Sequence, residues 1–226
     1  MEKKANFQSQ TKREIPDGLK SILEWDKKIT RSTFEAFDKK FGYVKYRSQM
    51  KALENSCHGI PWLVLTIAMI YLGAWPGGLE LWMNLLLYLI VDIVFVAVIK
   101  AFARRRRPSF QSDEQWFVKI EDKLTGGRGV DKFSFPSGHA SRAGGFVFFF
   151  WFLYPLNFFF RIAVLIWSSS VAVSRVFLCR HHILDVAAGL LLGYVEYIVM
   201  CFLWMGEDRA KYLLTYLGGE DPWSSG

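Results

Sequence analysis

The stretch 174–185 carries an arginine, a histidine and an aspartate at spacings that suit catalysis. Arg175 offers a planar set of N–H donors that matches the oxygen atoms of a phosphate group. His181 can act as a base or a nucleophile near neutral pH. Asp185 lies four residues further on, so on a continuous helix it would share a face with His181 and hold one imidazole nitrogen protonated. The pattern predicts that the other nitrogen of His181 is available to attack a substrate.

A second stretch, which begins at Pro136, has the composition of a helix start that binds an anion. Proline is favoured at the start of a helix, Ser137 is a good cap, and Gly138 lets a ligand approach the backbone. Unpaired N–H groups at a helix N-terminus bind anions, and His139 can donate a proton to a leaving oxygen. Arg142, one turn beyond His139, is either a ligand contact or a structural residue.

A third stretch follows a long apolar segment and is strongly basic. Lys100 and Arg107 bound it, and the arginines between them, at 104–106, are interpreted as contacts to lipid headgroups or as a stop-transfer signal. Acids near these stretches are few, so we expect lysine and arginine to neutralise an oxyanion, with no metal and no cofactor. The predicted site comprises catalytic His181, His139 and Asp185 and phosphate-binding Lys100, Arg107, Ser137, Gly138 and Arg175.

Two further histidines lie close to these stretches. His182 is interpreted as a bystander, because only His181 lies four residues before Asp185. His58 precedes an apolar run and is either a site residue or an interfacial side chain.

The composition favours a membrane protein. Hydrophobic residues make up 52% and aromatic residues 17% of the 226 residues, which is too apolar for an ordinary soluble domain unless some segments face lipid. The net charge of +7 suits nucleic acid, anionic lipid or a phosphate substrate. Nothing resembles a nucleic-acid-binding module, so the last two are favoured. The three cysteines show no zinc spacing and predict no disulfide framework.

Five apolar segments predict an all-α, integral-membrane helical bundle, because a spanning helix needs about 20 residues. Asp92 and Glu196 fall inside two of them, and each is interpreted as a buried hydrogen-bonding partner between helices. Trp62, Trp75, Trp82 and Trp204 lie near segment ends, as in an aromatic belt. The segments are Gly59–Trp75, Leu81–Ile99, Ala140–Tyr154, Phe158–Phe177 and Ile183–Trp204.

The N-terminal region is polar and predicts no cleavable signal peptide. Residues 1–18 are expected to form a disordered tail. Residues 19–41 have an amphipathic pattern with basic residues, which predicts a helix lying in the membrane interface or, alternatively, packed on the rest of the domain. We therefore divide the chain into a tail and amphipathic segment (1–56), a membrane domain (57–205) and a polar C-terminal tail (206–226).

Counting crossings places residues 1–56, 100–136 and 174–185 on the same side of the membrane. The three polar stretches are therefore expected to meet at one membrane face. Residues 1–56 contain thirteen basic and eight acidic residues. The positive-inside rule then predicts that this face is cytosolic.

The motifs at 100–108, 136–139 and 174–185 together resemble the three signatures of the type 2 phosphatidic acid phosphatase superfamily. This resemblance implies that His181 forms a phosphohistidine, that Asp185 orients it, and that His139 protonates the leaving group and later helps to activate water. It also implies that the predicted phosphate-binding residues hold the phosphoryl oxygens. Six core helices are typical of the superfamily, so residues 19–41 or 43–56 are expected to supply a sixth to the five predicted spans.

Within the superfamily the chain most resembles the polyisoprenoid diphosphate phosphatases, also called presqualene diphosphate phosphatases, at residues 58–62, 100–108, 134–140 and 174–181. That resemblance implies farnesyl, geranylgeranyl and presqualene diphosphates as substrates, and a location in the endoplasmic reticulum or nuclear envelope. The alternatives are a general phosphatidic acid or lysolipid phosphate phosphatase, a phosphatase of soluble phosphomonoesters, and phosphoryl transfer to an acceptor other than water. A catalytically weak membrane interaction protein of the same fold is a further alternative. The expected partners are a lipid phosphate and the bilayer, without nucleic acid.

Overall fold

The computed structural model describes residues 16–72, 78–108 and 133–216. These residues are 85% helical and contain no strand, which confirms the all-α class. Residues 1–15, from the expected disordered tail, and most of the long connection before Phe133 lie outside the described part. The helices are α1 (Asp17–Phe41), α2 (Tyr43–Ser56), α3 (Gly59–Leu72), α4 (Gly78–Ala103), α5 (Gly138–Phe148), α6 (Phe158–Phe177), α7 (Ile183–Leu203) and α8 (Glu207–Tyr216).

Three of these helices, α4, α6 and α7, are long and apolar enough to cross a membrane. Helices α2 and α3 bend by 42° at the break between them and give a fourth candidate if they form one span. The predicted segment Ala140–Tyr154 corresponds to α5 and a π-helix, Phe149–Leu153, that continues it. The predicted segment Gly59–Trp75 corresponds to α3, which has 14 residues and ends at Leu72. The described chain therefore has three to four candidate spans where the sequence predicts five to six.

Helix α5 is held against α7 by a close approach of the two backbones. A Cβ atom added at Gly189 would lie 2.5 Å from the carbonyl oxygen of Ser137, and one added at Gly193 would lie 2.5 Å from that of Ser141. Small residues allow such contact between membrane helices. The glycines of α7 thus fix the position of the α5 N-terminus along α7, and two predicted site residues lie at that N-terminus.

Buried polar side chains cross-link the interior of the bundle. Asp92 of α4 accepts a hydrogen bond from Arg142 of α5 at 2.5 Å. Ser141 donates to Glu196 of α7 at 2.9 Å. Both acids join helices, as the sequence predicts for them. Arg142 also donates to the carbonyl oxygen of Cys57 at 3.0 Å, so its interpretation as a ligand contact is replaced by a structural one.

Helix α1 packs across one end of the bundle, with Asp26, Thr30 and Phe34 buried. Phe34 belongs to a cluster that includes Leu178, in the connection after α6. The opposite side of α1 leaves apolar residues in the open, including Trp25, which is 59% exposed. The contacts bear out the packed alternative for the buried face, and a location of the exposed face in the membrane interface stays a prediction.

The other end of the bundle is closed by α8, whose Ala210 and Leu214 pack against Leu79 and Met83 of α4. The segment 206–226, expected to be a polar tail, therefore contains a packed helix over Glu207–Tyr216. Residues 217–226 lie outside the described part of the chain.

Candidate functional site

Hydrogen bonds join the three polar stretches at one end of the bundle. The Ser134 N–H donates to the carbonyl oxygen of Arg105 at 2.8 Å, and the Ser137 N–H donates to that of Asp185 at 3.0 Å. The imidazole Nδ1 of His181 lies 2.6 Å from the carbonyl oxygen of Ser134. The predicted convergence of the stretches is therefore present in the structure.

His181 lies in the connection before α7 and is buried. Because a carbonyl oxygen can only accept, Nδ1 carries the proton in its contact with Ser134, which leaves Nε2 unprotonated. Burial, together with the positive charges of Arg175, Lys100 and Arg107, holds the pKa of His181 well below its usual range. The side chain is consequently neutral near pH 7, the state in which an imidazole can attack phosphorus.

Asp185 contacts His182 rather than His181. Its Oδ2 accepts from the backbone N–H of His182 at 2.8 Å and lies 3.1 Å from the Nδ1 of the same residue. The expected pairing with His181 is wrong in this structure, because α7 begins at Ile183 and His181 precedes it. His182, expected to be a bystander, is thus the residue that the aspartate holds, while Ser134 orients His181.

Ser137 caps α5, since its side-chain oxygen accepts from the backbone N–H of Ala140 at 3.4 Å. His139 lies in the first turn, and its Nε2 is buried without a hydrogen-bond partner among the described residues. The exposed His58 ring lies 6.1 Å from the His139 ring, measured between centroids. An unpaired imidazole nitrogen at the start of a helix is available to a ligand in the site.

Two buried cations and one half-buried cation surround His181 closely enough to depress its pKa. Lys100 stands in the last turn of α4, Arg175 in the last turn of α6, and Arg107 follows α4. The Nε of Arg175 is buried without a hydrogen-bond partner among the described residues. This arrangement suits a multiply charged oxyanion.

Glu54, near the end of α2, holds Arg175 in place and was missed in the sequence. Its Oε1 lies 2.8 Å from Nη1 of Arg175 and 3.9 Å from Nε of Arg180. Nothing in the local sequence around Glu54 points to a site, because its partners are about 120 residues away in the chain.

Arg105 is a second residue whose role the sequence did not indicate. Its guanidinium bridges Asp26 of α1 and Asp185 of α7, with 2.6 Å to each carboxylate. The interpretation of Arg105 as a headgroup contact is therefore wrong. Only the tertiary structure gives it two buried acids as partners.

Helix α1 also caps the start of α7. The Oδ1 of Asp26 accepts from the Leu184 N–H at 3.1 Å, and the hydroxyl of Thr30 accepts from the Ile183 N–H at 3.1 Å. The first N–H groups of a helix have no partner within it, so these side chains satisfy them from outside. The sequence signal that could have indicated these caps is a pair of polar residues, spaced four apart, on the face of α1 that also carries Phe34.

All eight predicted site residues lie at this end of the bundle. Gly138 packs closely there, since an added Cβ would lie 3.1 Å from Cγ1 of Val96. Within the described ranges, no group of three or more His, Cys, Asp or Glu side chains is arranged to hold a metal. The described site offers cations, imidazoles and helix N-termini to an anion, and the catalytic roles of its residues stay predictions.

Comparison with known proteins identifies a family match over the region that contains the site. The family model of the PAP2 superfamily matches residues 81–209, which include all eight predicted site residues. The chain is also similar to an Arabidopsis thaliana protein described as "Probable lipid phosphate phosphatase beta", with 32% identity over 142 residues. That alignment covers 49% of this chain and 60% of the relative. No solved structure matches the chain.

Proposed function

Because this chain belongs to the PAP2 superfamily, we propose that it is a membrane phosphatase that hydrolyses lipid phosphates, with polyisoprenoid diphosphates as its preferred substrates. The observation that carries the proposal is the state of His181. Its Nδ1 is fixed on the Ser134 carbonyl, its Nε2 is unprotonated, and cations surround it. This is the arrangement that an attack of imidazole on a phosphoryl group needs.

In the first step, the terminal phosphoryl group lies among Lys100, Arg107 and Arg175. Nε2 of His181 forms a bond to phosphorus while the bond from phosphorus to the leaving oxygen breaks. Burial and the charges of Arg175 and Arg142 hold the pKa of His139 well below its usual range, and the negative charge of the bound substrate offsets this effect. His139 therefore takes up a proton as the substrate binds and donates it to the leaving oxygen. The products are a phosphohistidine and either a lipid alcohol or, from a diphosphate, a lipid monophosphate.

In the second step, His139 takes a proton from water and the resulting hydroxide attacks phosphorus. The bond between nitrogen and phosphorus breaks, orthophosphate leaves, and His181 returns to its neutral form. The same imidazole therefore acts first as an acid and then as a base, and the cations stabilise the charge on the phosphoryl oxygens in both steps.

A lipid substrate is favoured by the surroundings of the site. Helices α4, α6 and α7 are candidate spans, and their site ends carry the charged residues. A headgroup can meet these residues while its tail stays in the bilayer. The name of the Arabidopsis relative supports lipid phosphates in general. The isoprenoid preference rests on the sequence resemblance, and phosphatidic acid is the second candidate substrate.

The cytosolic orientation and the endoplasmic reticulum location are part of the proposal. The first rests on the excess of basic residues over 1–56, and the second on the resemblance alone. A protease added to sealed microsomes should cleave the N-terminal region; full protection of it would overturn the orientation.

The proposal is tested by trapping the phosphoenzyme. Purified full-length protein in detergent with EDTA is mixed with farnesyl diphosphate labelled at its terminal phosphorus, and acid-labile, base-stable label on the protein is counted. His181→Ala should abolish this label and phosphate release, whereas His182→Ala should still form the phosphoenzyme. Loss of label in His182→Ala with label retained in His181→Ala would overturn the assignment of the nucleophile. Faster turnover of phosphatidic acid than of farnesyl diphosphate would change the proposed substrate but not the proposed mechanism.

A further inference from the structure

A cationic cleft lies beside the candidate site, between α1 and the segment that follows α4. Its volume is about 560 Å³. The described residues that line it include five lysines or arginines and no acid. The lining consists of Lys27, Lys28, Arg31, Arg106, Arg107, Pro108 and His182.

The two walls of the cleft are joined by buried contacts. Asp26 pairs with Arg105 at 2.6 Å, and Thr30 accepts from the backbone N–H of Ile183 at 3.1 Å. Lys27 and Arg31 each directly follow one of these two α1 residues. The cations of α1 are therefore held opposite those after α4 by the fold, and the cleft is a built feature.

The charge of the cleft is only partly balanced within the described chain. Arg31 pairs with Glu35 at 2.7 Å, outside the lining. Lys27 and Lys28 form no ion pair with a described residue. No described side chain neutralises Lys27 and Lys28, so the cleft attracts an anion, and its arginines favour phosphate because their planar donors match its oxygens.

The position of the cleft indicates where that anion comes from. Helix α1 also exposes Ile22 (52%) and Trp25 (59%), which do not line the cleft, and an exposed tryptophan beside aliphatic residues suits the interface between membrane and water. Helices α4, α6 and α7 are candidate spans, and α1 lies across their site ends. The cleft then opens at the level of the lipid headgroups.

We propose that the cleft is a second anion site, which binds the phosphate group of an anionic membrane lipid that is not being hydrolysed. The proposed proton donor His139 is not among the residues that line the cleft, and neither are Lys100 and Arg175. The cleft lining is thus largely distinct from the residues proposed to act on the hydrolysed phosphoryl group. It adjoins the catalytic site through Arg107 and His182, which belong to the cleft lining and to the predicted site or its network.

The test measures lipid binding, so that it does not depend on turnover of any substrate. Full-length protein in neutral detergent is titrated with phosphatidylglycerol, and retained lipid is counted by native mass spectrometry. Wild type should retain one phosphatidylglycerol in preference to phosphatidylcholine, and Lys27→Gln/Arg31→Gln should weaken this binding about tenfold, since each basic residue near an anionic lipid surface adds to the attraction. Lys39→Gln/Lys40→Gln, which removes the same charge from the exposed end of α1, should bind like wild type.

Further measurements in the same experiment distinguish the possible sources of the bound phosphate group. Arg175→Gln removes a catalytic cation outside the cleft and should retain the lipid; loss of binding there would place the lipid in the catalytic site and overturn the proposal. Displacement of the lipid by millimolar orthophosphate would keep the site and assign it to free phosphate. Equal weakening in both double variants would show that only net charge matters and would overturn the proposal. Failure of the wild-type protein to retain phosphatidylglycerol would overturn it as well.

Discussion

Two sets of buried charges in this bundle differ in what they hold together. Near the site, Arg105 bridges Asp26 and Asp185 at 2.6 Å each, and so joins three separate segments around the candidate nucleophile. Inside the bundle, Arg142 pairs with Asp92 at 2.5 Å and joins two helices. The ion pairs near the site therefore hold its segments in position, whereas the interior ion pair holds two helices together. The comparison predicts that the two sets fail differently when they are broken.

Breaking the interior ion pair should give the largest loss of stability. Arg142→Met leaves Asp92 buried without its partner, which we expect to cost about 3–5 kcal/mol of unfolding free energy. The double change Asp92→Leu/Arg142→Met should recover most of this loss, because no charge then remains unpaired. Reversible unfolding in mixed detergent micelles measures both. A stable Arg142→Met protein with greatly reduced activity would instead make Arg142 a ligand contact.

The site set should show its effect mainly in activity. Arg105→Gln releases Asp185 and α1 from the connection that holds Ser134, and displacement of a site by about 1 Å can cost roughly 100-fold in rate. We expect a fall of that size in kcat/KM for farnesyl diphosphate. Arg104→Gln is the matched control, since Arg104 is exposed and, among the described residues, its side chain donates only to the carbonyl oxygen of Ala101, so it should keep wild-type activity. Equal losses in both variants would contradict the bridging role.

A smaller change in the same set tests the contribution of α1. Asp26→Asn keeps the shape of the side chain but weakens its contacts with Arg105 and the start of α7. Loss of a buried hydrogen bond to a charged group costs about 1.5–3 kcal/mol, so we expect activity to fall about tenfold. Glu24→Gln, on the exposed face of α1, is the control. The phosphoenzyme assay measures both, and unchanged phosphorylation by Asp26→Asn would separate α1 from the site.

The smallest expected effect is the pH dependence of stability from His181. Its pKa in the folded protein is depressed, so its contribution to stability is complete above the unfolded value of about 6.5 and is lost as the pH falls below it. The slope is at most about 1.4 kcal/mol per pH unit. His181→Gln removes the titrating group, and its stability should fall less than that of wild type between pH 7 and pH 5. Parallel pH profiles for the two proteins would contradict a buried neutral imidazole.

The motifs could predict the site because the residues of each motif are close together in the chain. The sequence 136–139 carries its own helix start, and the structure places α5 at Gly138 with Ser137 as its cap. Long apolar runs likewise predict α4, α6 and α7, since hydrocarbon demands that backbone polar groups be satisfied within each segment. Counting these runs also places the polar stretches at one end.

The contacts that orient the site could not be found in the same way. The pairing of Asp185 with His181 was expected from spacing on a continuous helix, but α7 starts two residues after His181 and the aspartate takes His182. Asp26 lies in the segment predicted to be amphipathic and Glu54 in the helix that follows it, and no local motif marks either residue as part of a site. Their roles depend on partners that lie far away in the chain.

The sequence by itself determined the helical membrane class and the residue types of the site, because hydropathy and short motifs are local properties. Tertiary structure alone decided which carbonyl orients His181, which acid holds Arg175, and that α1 caps α7. Each of these contacts satisfies a buried polar group with a partner on another element. The choice among possible partners is made by packing, which no local pattern encodes.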